Sequence, residues 1–157
     1  MNHPAVLLWG LLATGLLTTL MRLSQAFHLT RMDVPFLLGT MVTSNRDRAK
    51  LIGFVMHFVN GWLFAFLYAA FFKGFGFASW WLGAGMGLAH ALFVLVVVLP
   101  LLPGVHPRMA SEFHGPQPTR LLEPPGFLAL NYGYQTPLAT VVAHVAYGLV
   151  LGSFYEV

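Results

Sequence analysis

The chain has 157 residues, of which 57% are hydrophobic and only 8% charged, with a formal net charge of +3 and no cysteine. A soluble domain carries about 25% charged residues, so a water-covered surface is excluded and the surface must face lipid. The missing thiol removes disulfides, thiolate metal sites and cysteine nucleophiles, and no run of Lys and Arg interleaved with aromatics forms a nucleic-acid face.

Four apolar segments follow along the chain, at 5–21, 51–72, 80–102 and 137–155. Each is near the ~20 residues that cross a hydrocarbon core about 30 Å thick. The first has no positive residue ahead of it, and Arg22 follows it. That pattern fits a retained anchor better than a secretory signal. The connection at 22–50 contains "RMDVPFLLGT", with Asp33 as a helix cap and Pro35 in the first turn. A short helix lying at the membrane interface is expected there. "TSNRDRAK" opens the second segment, with Ser44 or Asn45 as cap, and Arg46, Arg48 and Lys50 placed to meet anionic headgroups.

The connection at 103–136 holds most of the chain's ten prolines, a density that rules out a regular helix. Its apolar and aromatic residues argue against disorder. The expectation is an irregular cap across the cytoplasmic mouth, using His106, Arg108, Glu112, His114, Arg120 and Glu123, with carboxylate–arginine pairs. His106 and His114 match no metal-ligand spacing and read as solvated loop residues.

Lys and Arg set the predicted orientation. Arg22, Arg31, Arg46, Arg48 and Lys50 lie in the first connection, Arg108 and Arg120 in the second, and only Lys73 between segments two and three. The positive-inside rule then puts both long connections in the cytoplasm and both termini outside. Trp9, Tyr68, Trp80, Trp81 and Tyr155 fall near the outer interface, as an aromatic belt does.

A repeat relates segments two and four. "HFVNGWLFAFLY" and "HVAYGLVLGSFY" match at His57 and His144, Gly61 and Gly148, Ala65 and Gly152, Tyr68 and Tyr155. The predicted fold is therefore all-α and polytopic, four transmembrane helices in one domain arranged as two parallel hairpins. Residues at these spacings share a helix face. Gly61, Ala65, Gly83, Gly87, Gly148 and Gly152 are the expected helix-packing positions, since small residues let backbones approach in lipid. His57, His90 and His144 share those faces, and an imidazole facing lipid would leave its nitrogens unpaired. With Asn60 they form a predicted buried polar cluster. His57 and His144 lie at one depth, and His90 ~8 Å nearer the centre.

Three uses of the cluster follow from these residues. The first is interhelical hydrogen bonding, which needs no cofactor. The second is a haem b or metal held by His57 and His144 between segments two and four. The third is a metal site or proton path through all three histidines. No G-x-S-x-G, H-E-x-x-H or phosphate loop occurs, and the only carboxylate in a span is Glu156 at its very end.

The residues of "MDVPFLLGT", "HFVNG" and "HVAYGLVLGSFY" carry a resemblance across most of the chain: Asp33, Pro35, Leu38, Gly39, His57, Gly61, His144, Tyr147, Gly148, Gly152 and Tyr155. This set resembles small bacterial four-helix integral membrane proteins of unknown function. The resemblance implies the fold and a bacterial inner membrane, and brings no activity. The expected function is a non-enzymatic accessory or subunit protein that packs in the bilayer against itself or within a larger membrane complex. The alternative is a haem- or metal-binding redox component.

Overall fold

The computed structural model describes residues 2–111 and 118–157. Among them the chain forms α1 (His3–Ala26), α2 (Val34–Val42), α3 (Arg46–Phe75), α4 (Trp80–Phe93), α5 (Leu99–Val105) and α6 (Thr136–Phe154). Short polar side chains start four of them. Asn2, Asp33, Asn45 and Ser79 each accept a backbone N–H of the first turn, satisfying donors that have no intrahelical partner.

A π turn at Val94–Val98 joins α4 to α5. Pro100 follows it, lacking an N–H and crowding the carbonyl four residues back. The ladder widens just ahead, with Leu99 N–H bonding Val94 O, and the rod continues from Trp80 to Val105. This rod, α1, α3 and α6 are all long and apolar enough to cross a bilayer. The protein is thus an all-helical, multi-pass membrane protein. The helices outrun the apolar stretches: α3 has 30 residues, because its first turns carry Arg46, Asp47, Arg48 and Lys50 beyond the apolar run.

Close backbone approaches set the packing. A Cβ on Gly83 would lie 2.1 Å from Gly148 O, and one on Gly87 2.4 Å from His144 O, so α4 and α6 cross backbone to backbone, antiparallel. A Cβ on Gly61 would strike Thr14, and one on Gly10 would meet Ala65, so α1 and α3 are also antiparallel. Trp9 stacks on Phe154 and Thr30 bonds Thr136, which runs α6 antiparallel to α1. It follows that α3 and α6 run the same way. Tyr147 Oη donates to Gly61 O at 2.6 Å between them.

The short helix α2 does not lie flat at an interface. It stands against α3, antiparallel to it, because a Cβ on Gly39 or Gly53 would occupy the position of a carbonyl of Ala49 or Pro35. Glycine at both positions permits that approach. Tyr68 and Tyr155, expected in an outer belt, are only 3% and 4% exposed. Tyr68 packs edge-on against Tyr147, and Tyr155 stacks on Phe72. Trp80 and Trp81 are exposed.

Candidate functional site

The described parts of the long second connection are built on His106. Predicted as a solvated loop residue, it is instead 0% exposed. Its Nδ1 accepts the Arg108 N–H at 3.1 Å, which leaves Nε2–H to donate to Leu37 O at 3.0 Å. Burial and the cations of Arg108 and Arg120 hold its pKa below the ordinary histidine value, against the raising effect of the Leu37 bond. The Arg108 guanidinium caps the end of α2, bonding Thr40 O at 2.6 Å. Arg120 bonds the carbonyls of His106 and Met109. Glu123 pairs with Arg31 at 3.0 Å, both half-exposed or more. The Tyr132 hydroxyl donates to Glu123 O, and burial, with Glu123 nearby, pushes its pKa up to about 12. Glu112 and His114 lie outside the described residues. These contacts hold the described residues of this connection against α2 and the turn before it; among the described residues they do not gather ligating groups.

The intramembrane histidines are different. His57, His90 and His144 all line one cavity of about 170 Å³ to which all six helices contribute. Its walls are otherwise largely apolar, from Leu17, Met21 and Leu37 to Val94, Leu99 and Leu102. Arg22, which pairs with Asp33 at 2.9 Å, and Gln25 line it as well. α3 positions His57 and Phe64, two turns apart on one face; α4 positions His90 above its π turn; α6 positions His144 through its own helix.

The structure pairs His90 with His144, rather than His57 with His144. Their ring centroids are 4.7 Å apart at 80°. His144 is 9% exposed and its Nδ1 lies 2.8 Å from Thr140 O. Phe64 stacks on His90 at 3.7 Å, and Tyr68 Oη reaches His90 Nδ1 at 3.5 Å. His57, half-buried, makes no hydrogen bond with the described residues and touches Phe58 only edge-on. Asn60 was expected inside the cluster. It is exposed and unbonded, yet it lines the same cavity. Three residues on from His57, like Tyr147 from His144, it lies near the histidine's face, but its exposure puts it at the cavity's edge rather than in the core.

Gly61, Ala65, Gly83, Gly87, Gly148 and Gly152 all stand at helix crossings. The repeat nevertheless serves two different contacts. Gly61 and Ala65 face Thr14 and Gly10 of α1, whereas Gly148 and Gly152 face α4. Tyr147, Phe64 and Thr14 belong to the site and were not among its predicted members. Tyr147 was legible, lying three residues after His144 on the same face. Phe64 and Thr14 look like any lipid-facing or packing residue.

Among the described residues no group of three or more His, Cys, Asp or Glu side chains is close enough to hold a metal ion. The ring that meets His144 is that of His90, so the two imidazoles expected to hold a haem are not the pair in ring contact. No protein-family model matches this chain, and no match was found among curated proteins or solved structures.

Proposed function

We propose that this is a non-enzymatic accessory or subunit protein of a bacterial inner membrane whose histidine-lined cavity binds a small, largely apolar molecule within the bilayer. One observation carries this reading: three imidazoles line a single intramembrane cavity whose other walls are mostly apolar, with ring nitrogens that no described residue satisfies. Polar groups in a span are costly unless paired. A few convergent polar groups in an apolar concavity are the usual composition of a small-molecule site.

The orientation that fits places both termini outside and the Arg-rich connections in the cytoplasm. Two hairpins, α1 with α3 and α4 with α6, then lie side by side, and the described residues of the second connection cap the inner end. The broad apolar outer faces of α3 and α4, including Leu63, Leu67, Leu88 and Leu92, meet lipid, a second copy or a membrane partner.

Purification in native-lipid nanodiscs followed by native mass spectrometry tests the reading. The expected result is a small apolar molecule retained by the native protein and lost when His90→Trp fills the cavity. A protein that retains nothing, with a cavity holding water alone, overturns it.

A further inference from the structure

We infer that the cavity takes an apolar molecule bearing a hydroxyl group, which donates to His144 Nε2 and accepts from His90 Nε2–H. This rests on the cavity being a binding site, as proposed above, and specifies the polar end of its ligand.

Tautomers make the assignment. Thr140 O can only accept, so His144 Nδ1, 2.8 Å away, carries the proton. The apolar walls favour the neutral ring, and no carboxylate lines the cavity to hold a second proton. His144 Nε2 is therefore a bare acceptor. Tyr68 is 3% exposed, and its one hydrogen-bond contact among the described residues is His90 Nδ1, at 3.5 Å. The phenolic proton is satisfied only if Tyr68 donates. His90 Nδ1 then accepts, and Nε2 bears the hydrogen.

Neither Nε2 has a partner among the described residues, and the crossed rings form no bond with each other. Among the described residues the only fully enclosed side-chain polar atom without a partner is Tyr155 Oη. The two Nε2 atoms therefore look onto open space, and both residues line the cavity. An acceptor beside a donor suits a group that is both. A hydroxyl supplies one O–H and two lone pairs. An ether, ester or ketone satisfies His90 alone, and an ammonium His144 alone. The cavity volume of about 170 Å³ is close to that of an apolar cavity known to admit benzene, roughly 150 Å³. It holds a ring or short chain, and the rest of the molecule leaves past Asn60.

The test uses the full chain in nanodiscs and a long-chain primary alcohol carrying a diazirine, with labelled residues mapped by peptide mass spectrometry. Labelling is expected on α3 around Phe64 and on the π turn around Val94. The unlabelled alcohol should compete about ten-fold better than its methyl ether, because the ether leaves a buried acceptor unpaired. In His144→Phe that preference should fall to about two-fold or less. Without any substitution, the ¹⁵N signal of His144 Nε2 should move on adding the alcohol and stay put with the ether. Equal competition by alcohol, ether and alkane, with labelling still in the cavity, overturns the hydroxyl assignment and leaves the apolar binding site standing. Labelling nowhere in the cavity overturns the binding reading, and this assignment with it.

Discussion

The imidazoles of His90 and His144 cross at nearly a right angle, centroids 4.7 Å apart, each held by a separate partner and not by the other. Rings in contact are energetically coupled even without a bond. A double-mutant cycle of His90→Ala and His144→Ala, read by thermal unfolding in detergent, should give an interaction of at least about 0.5 kcal/mol. Additive losses would mean that the two side chains do not touch.

The crossing of α4 on α6 depends on absent side chains. Gly83→Ala puts a Cβ 2.1 Å from a backbone carbonyl that cannot move independently, and should cost about 1–3 kcal/mol or more. Gly85 lies one turn-edge away with nothing within 4 Å of its Cβ position. Gly85→Ala should be neutral or gain up to about 1 kcal/mol of helix propensity. Unfolding midpoints of the two variants check this, and equal behaviour would contradict the crossing.

His106 makes stability depend on pH in a stated direction. Its folded pKa is lowered, chiefly by burial, so between that value and the unfolded value of about 6.5 the unfolded chain binds more protons. Its contribution is intact above about pH 6.5 and is lost as pH falls through the folded value. Protonation would also set an N–H against the Arg108 N–H that Nδ1 now accepts. The difference in unfolding midpoint between the native protein and His106→Gln should therefore shrink between pH 7.5 and pH 5. A difference that grows on acidification would reverse the assignment.

Arg108 ties the second connection to α2 through the carbonyls of Thr40 and Met41. A cation at a helix C-terminus is worth about 0.3–1 kcal/mol, and its charged hydrogen bonds more. Arg108→Gln should lower stability by about 1–2 kcal/mol and speed amide exchange across Val34–Val42. Arg108→Lys should lose less. Unchanged exchange in Arg108→Gln would show that the guanidinium is not what holds this end.

The helical spans and the shared inward face of the three histidines could be read from the chain because hydropathy and the 3.6-residue period act locally. His57, His90 and His144 do line one cavity. Their pairing was not legible. The repeat suggested His57 with His144, but partner choice depends on which helices touch, and the Gly83 and Gly148 approach brings α4, not α3, against α6. Asn60 was misplaced for a related reason: one turn of spacing puts a residue near a face without saying which side of the opening it occupies. The upright α2 depended on a pair of glycines, Gly39 and Gly53, in different segments, and no local pattern links them. His106 in a proline-rich stretch looked solvated because its partners, Leu37 and Thr40, are some seventy residues away.

Magic-angle-spinning NMR of ¹³C,¹⁵N-histidine protein in lipid bilayers tests the central arrangement most directly. A through-space correlation between the rings of His90 and His144 is predicted, with His144 protonated at Nδ1 and bare at Nε2. Two rings without a correlation, or a His144 protonated at Nε2 instead, would contradict the cavity as built here.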